Sequence, residues 1–171
     1  MGIEKRGKAL FFALEYVMQK LYYLIGIPAS GKTTWAEKFC EMTGAVHCSI
    51  DNVRREKFGG YNQEKTPLAY RYLDNVVLRK LFDGQDVVYD TMGVSAFWDE
   101  KMKLFRPYAE IIAVYFTVSL DEAIKRNAQR GSGVPESYLR MATRWVDKPS
   151  VYDGFNKIIY VEDCNEVLPC V

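Results

Sequence analysis

Residues 26–34 read GIPASGKTT, and no other stretch of the chain restricts its fold as strongly. Gly26, Gly31, Lys32 and Thr33 satisfy the spacing G-x-x-x-x-G-K-[ST], in which glycines let the backbone turn tightly enough to offer its N–H groups to phosphate oxygens. The arrangement needs a strand leading in and a helix leading out, because the helix N-terminus supplies the partial positive charge that completes the cradle. Both flanks are present. Residues 21–25, LYYLI, form an apolar run, and Trp35, Ala36, Phe39 and Cys40 recur at helical spacing before a stop at Gly44. Gly26, Pro28, Ala29, Ser30 and Gly31 are therefore expected to wrap the phosphates of a nucleoside triphosphate, and Thr34, in the first helical turn beyond them, to bind it as well. Lys32 is placed to reach the β- and γ-phosphates, and Thr33 to set its hydroxyl on the Mg2+ that bridges them.

Four further short runs resemble the first: 46–50, 87–89, 111–118 and 157–161. Runs that are continuous rather than alternating indicate strands buried on both faces, as in a parallel sheet. Helical patterns fall between them. Leu68, Tyr72, Leu73, Val76, Val77 and Leu81 make a stripe expected to face the core, opened by Thr66-Pro67 and closed near Gly84. Ser119 to Glu122 has the capping-box pattern of a helix ending at Gly131, and another helix is expected from Pro135 past Trp145. The alternation predicts an α/β three-layer sandwich with a mainly parallel five-stranded sheet. A length of 171 residues suits one domain, placed at 18–171. It is preceded by an N-terminal helical extension over 1–17 with Leu10, Ala13, Leu14 and Val17 on one face.

Charge and cysteine usage narrow the partners. Lys and Arg number 23 against 22 Asp and Glu, a net charge of +1, so no global field draws the chain onto duplex DNA or a membrane, and any nucleic-acid contact must be local. Cys40, Cys48, Cys164 and Cys170 form no CxxC pair, and the single histidine, His47, stands outside any ligand pattern. Reduced thiols in a cytoplasmic protein are expected. Glu15 interrupts the one apolar stretch near the N-terminus, position six lacks the Ser or Thr of a myristoylation signal, and no run reaches the ~20 apolar residues of a membrane span.

The other strand ends carry the candidate chemistry. Asp51 follows directly at the carboxyl edge of the second run, where ligands sit in open α/β sheets, and Arg54 comes three residues later. Asp51 is either a general base for an attacking hydroxyl or a helix N-cap. Asp90 ends DVVYD and either holds Mg2+ through water or orients Arg54. Arg126 and Arg130, one turn apart before a Gly-Ser-Gly loop, suit a lid over transferring phosphates, although a solvated helix face has the same look. Arg55, Lys57, Arg71 and Arg79 would lengthen a basic groove, and Phe58 or Tyr61 would stack on a base, unless each is plain surface or packing.

Taken together, KLYYLIGIPASGKTTWAEKF, SIDNVRRE, YDT and IKRNAQRG…VP resemble the kinase domain of phage-type polynucleotide 5′-hydroxyl kinases, from about Met18 to Val161. The resemblance implies a P-loop kinase fold with a helical lid, ATP and Mg2+ as donor and metal, and the 5′-hydroxyl end of DNA or RNA as acceptor. It implies Lys32 and Thr33 as phosphate and Mg2+ contacts, Asp51 as general base and Arg54 on the phosphate beside the hydroxyl. Asp90 then supports the site, Arg130 is the lid arginine, and Arg126 lies near the nucleotide base. Family members that append a phosphatase carry a D-x-D-G-T signature, and its absence here implies a kinase alone. The wider superfamily also holds kinases of small hydroxylated metabolites or nucleotide-sugars and zeta-type toxins. A nucleotide-dependent switch or binding module is the alternative from another class.

Overall fold

The computed structural model describes residues 18–131 and 134–165. The helix expected over residues 1–17, the Ser132-Gly133 pair of the glycine-serine loop, and Cys170 lie outside them. Five strands form one sheet: β1 (Gln19–Ile25), β2 (Val46–Ser49), β3 (Val87–Asp90), β4 (Ala109–Phe116) and β5 (Lys157–Val161). Their order is β2-β3-β1-β4-β5 and every pairing is parallel. Among the described residues six α-helices accompany them: α1 (Lys32–Thr43), α2 (Ile50–Phe58), α3 (Thr66–Phe82), α4 (Trp98–Phe105), α5 (Leu120–Arg130) and α6 (Glu136–Ala142).

The period of two along a strand divides the core into two layers. Leu21, Tyr23, Val87, Tyr89, Ile111 and Ala113 point toward α3 and α4, where Leu73, Val77, Met102 and Phe105 meet them. Tyr22, Leu24, Val88, Ile112 and Val114 point the other way, against Trp35, Ala36 and Phe39 of α1. Trp35 stacks on Phe39 with ring centroids 4.6 Å apart, so the helix leaving the glycine loop is held by its first two turns. A third, smaller cluster joins Ile27 to Ala123 of α5 and Ala142 of α6, seating the helical lid on the carboxyl edge of β1.

Three expectations change in detail. The second run stops as a strand at Ser49, because the Ser49 hydroxyl accepts from the Asn52 amide at 3.5 Å and Ile50 already begins α2. On α3 the core face is Ala69, Leu73, Val77 and Leu81, at strict four-residue spacing. Leu68 and Tyr72, expected inside, are 53% and 41% exposed. Their position one residue round the helix turns them away from the sheet, and Lys57 lays its ammonium 5.6 Å from the Tyr72 ring. The helix expected to run past Trp145 ends at Ala142. There the Thr143 hydroxyl turns back on the Arg140 carbonyl at 2.8 Å, and the Trp145 carbonyl is taken by the Ser95 amide at 2.9 Å.

Candidate active site

The glycine loop follows β1 and is shaped from several sides. The Gly26 amide donates to the Met92 carbonyl at 3.1 Å, and a Cβ on Gly26 would lie 2.8 Å from the Ser30 hydroxyl and 3.0 Å from Phe116. Ala29 and Gly31 both adopt positive φ, 62° and 98°, which turns the loop back over the start of α1. Lys32 curls beneath it, donating to the Gly26 and Ile27 carbonyls at 2.8 and 2.9 Å. Burial pushes this ammonium down to about 8, while the Asp90 and Asp51 carboxylates pull it up and Arg130 adds to the depression. Thr34 is half-buried in the first helical turn.

Beside the loop, Thr33 donates its hydroxyl to Asp90 Oδ2 at 3.0 Å. The same oxygen is 3.0 Å from His47 Nε2. Asp90 is 4% exposed, and its side chain meets Thr33 and His47, not Arg54. A hydroxyl and a carboxylate are the hard oxygen donors that suit Mg2+. Among the described residues no group of three or more His, Cys, Asp or Glu could cage a metal by itself, so an ion here would be held chiefly by phosphate oxygens. Thr33 and Asp90 fit that arrangement.

Opposite the loop, Ser49 takes the capping position and leaves Asp51 in the first turn of α2 with its side chain 80% exposed. One Asp51 oxygen accepts from Arg54 Nη1 at 3.1 Å. Arg54 is held on two further sides, with its guanidinium carbon 5.1 Å from the Tyr61 ring centre and 5.7 Å from that of Tyr70. Its Nε is shut from solvent without a hydrogen-bond partner. Pro28, Ala29, Gly31, Lys32, Thr33, Asp51, Arg54 and Asp90 line one cleft of about 620 Å3, together with Arg130 from α5. Arg130 has no carboxylate partner among the described residues.

Arg126 stands apart from this cleft. Its Nε donates to Glu122 at 2.8 Å, holding that carboxyl below its usual range. The capping box expected from Ser119 to Glu122 is thereby half formed: Ser119 accepts from the Glu122 amide at 3.2 Å, while the Glu122 side chain turns to Arg126. The Arg126 Nη1, shut from solvent without a hydrogen-bond partner, lies 3.8 Å from where a Cβ on Gly31 would stand, a place that Cys164 also lines. Gly26 and Ser30 shape the loop from behind.

The cleft also holds residues to which the sequence reading gave no role: Tyr70, Thr91, Met92, Asn127, Val134 and Tyr138. Tyr138, on α6, has its phenol pushed up by burial, with Tyr61 adding to the rise. Tyr70 is raised chiefly by burial, against the pull of Arg54. His47 is a further residue that no motif in the sequence marks. A strand reading puts His47 and Ser49 on one face, but only the register of Ser49 with Asp90 brings the imidazole to that carboxylate.

No curated protein sequence matches the chain significantly. Among solved structures it is similar to a chain of the Pnkp1/Rnl/Hen1 RNA repair complex, at 23% identity and a TM-score of 0.69 over 75% of this chain and 44% of that one. A putative kinase from Chloroflexus aurantiacus is similar at 18% identity and a TM-score of 0.69, covering 88% of this chain and 92% of that one. The shikimate kinase of Acinetobacter baumannii is similar at 20% identity and a TM-score of 0.55, covering 86% of each chain. No helix among the described residues is long and apolar enough to cross a membrane. The fold is that of the P-loop kinases, and since residues 21–149 match the family model described as an AAA domain, the chain belongs to that family.

Proposed function

We propose that the protein is a Mg2+-dependent kinase that moves the γ-phosphoryl group of ATP to the 5′-hydroxyl end of a DNA or RNA strand. The observation that carries this reading is the composition of the acceptor half of the cleft. An exposed Asp51 carboxylate shares it with an arginine whose guanidinium is gripped by Asp51, Tyr61 and Tyr70 and whose buried Nε is unpaired. The phosphodiester next to a 5′-hydroxyl offers this guanidinium an anion in addition to Asp51, which a neutral sugar does not. The likeness to a chain of an RNA repair complex supports the same acceptor.

In this reading the glycine loop and Lys32 bind the triphosphate, and Arg54 sets the acceptor strand. Asp51 takes the proton of the hydroxyl as its oxygen bonds to the γ-phosphorus and the bond from that phosphorus to the β–γ bridging oxygen breaks, releasing ADP. Arg130 neutralises charge on the phosphoryl in flight. When bound, Mg2+ supplies charge neutralisation at the β- and γ-phosphates, with Thr33 and Asp90 as its protein supports.

The test is transfer of labelled γ-phosphate to 5′-hydroxyl DNA, to 5′-hydroxyl RNA and to a panel of sugars and shikimate-like alcohols. Label on an oligonucleotide, and none on the same strand already 5′-phosphorylated, is the expected result. Label on a small alcohol alone would make the protein a metabolite kinase, and release of inorganic phosphate alone would make it a switch. Asp51→Asn is expected to slow transfer by about 10²–10⁴-fold while leaving ATP affinity within a few fold.

A further inference from the structure

His47 takes no part in the reaction described above, yet its ring is aimed at the least exposed carboxylate of the site. It sits on β2, the edge strand, with 17% of its side chain exposed, while the Asp90 side chain is 5% exposed. Parallel pairing sets Val46 to Ser49 beside Val87 to Asp90, so His47 and Asp90 project from the same sheet face, two residues apart in register. Nε2 and Asp90 Oδ2 are then 3.0 Å apart. A carboxylate only accepts, so Nε2 carries the proton and donates it.

We propose that His47 is a positioning residue, a second fixed donor that locks the Asp90 carboxylate in the plane needed to receive a Mg2+–nucleotide. Oδ2 accepts from two elements at once, Thr33 at the start of α1 and His47 on β2, each at 3.0 Å. Oδ1 accepts from no described residue and stays available to a water on the metal. The bond between Asp Cβ and its carboxylate carbon has a broad, two-fold torsional profile, so a single donor leaves the plane poorly defined. Thr33 supplies only one such donor, since its hydroxyl carries a single proton while its lone pairs are the atoms expected to face the cation. The imidazole has no such second duty. Its donor comes from β2, which is paired directly with the strand that carries Asp90, and it fixes the carboxylate from a side that the Thr33 hydroxyl on α1 does not reach. The inference needs a Mg2+–nucleotide in the cleft and is independent of which alcohol accepts the phosphate.

The experiment separates metal from nucleotide. Affinity for a fluorescent ATP analogue is measured in EDTA, and half-saturating Mg2+ is then measured at fixed analogue, for wild type, His47→Phe and His47→Gln. Phe keeps a ring of similar shape without a donor, and the Gln amide reaches roughly where Nε2 stands. Half-saturating Mg2+ is expected to rise about tenfold or more in His47→Phe, with the EDTA affinity within about twofold, and to return to within about threefold of wild type in His47→Gln. If the Phe variant does not fold by its melting curve, His47→Asn, whose amide is too short to reach Asp90, replaces it with the same expectation. Unchanged Mg2+ dependence in the donor-free variant overturns the proposal. So does an equal loss of affinity with and without Mg2+, or a folded Gln variant that restores nothing. Wild-type protein that binds no nucleotide in either condition overturns it together with the reading of the glycine loop. Absence of 5′-hydroxyl transfer with normal Mg2+–nucleotide binding sinks only the acceptor.

Discussion

Lys32 is the residue whose charge state decides how strongly the loop attracts a triphosphate. Its ammonium is tucked under carbonyls and loses solvation, which brings it from 10.5 down to about 8. Below that value the lysine is charged in the free protein and the phosphates gain its full attraction. Above it, binding must first take up a proton, so nucleotide affinity is expected to fall as pH rises through about 8. Calorimetric titration from pH 7 to 9.5, in two buffers of different ionisation heat, checks this: proton uptake should appear in the upper half of the range. A flat affinity with no proton uptake would mean that the ammonium is better solvated than its contacts indicate. For folding the sign is opposite. The unfolded chain holds this proton more tightly, so the folding cost of the buried charge is present below pH 8 and relaxes as pH climbs from there toward 10.5.

The elements around the cleft are joined by turns whose tolerance differs sharply. Gly93, between β3 and α4, has φ +68°, and a Cβ there would lie 2.6 Å from the Leu24 carbonyl oxygen and 2.9 Å from Ile25 Cα. Its own carbonyl accepts from Trp98 Nε1 at 3.0 Å, fixing α4 behind the glycine loop. Gly44 has a similar φ of +77° but open space around the missing Cβ. Gly93→Ala is therefore expected to cost about 2–4 kcal/mol, from strain plus overlap with β1 backbone. Gly44→Ala carries the strain alone, about 1 kcal/mol. Denaturant midpoints of the two variants decide the point, and equal losses would show that the β3–α4 turn moves aside.

At the scale of the whole molecule, a buried charge pair ties three elements together beneath the acceptor half. The Lys101 ammonium on α4 meets Asp74 Oδ2 on α3 at 2.6 Å, and the Tyr89 hydroxyl of β3 donates to Asp74 Oδ1 at 2.8 Å. Lys101 also lies 5.8 Å from the Tyr70 ring centre, the ring that Arg54 approaches to 5.7 Å. Both charges are nearly sealed, at 6% and 8% exposure, so each depends on the other. Lys101→Met is expected to cost about 3–5 kcal/mol because it strands the Asp74 charge, and adding Asp74→Asn to recover more than about half of that loss. The unfolding free energies of the single and double variants are the measurement. Equal losses would assign the cost to packing of the lysine stem instead.

Much of this protein was determined by residues only a few positions apart. The strand–loop–helix around GIPASGKTT, the αL stop at Gly44 and the Ser119 cap arise from local periodicity and backbone chemistry, and each stands where the residues put it. Asp51, Arg54, Asp90 and Arg130 could likewise be singled out as residues at strand ends or on one helix face, and they line a common cleft. Which atoms they meet was decided by tertiary structure alone. Asp90 has Thr33 and His47 as its partners because β2 lies next to β3 in a particular register. Arg54 is gripped by Tyr70 because α2 and α3 pack together, and Leu68 and Tyr72 face outward because packing of α3 on the sheet selects one stripe of that helix over its neighbour. Periodicity along a chain fixes which residues share a face, whereas the partner of that face is chosen by hydrophobic burial and strand register between segments distant in sequence, which no local pattern encodes.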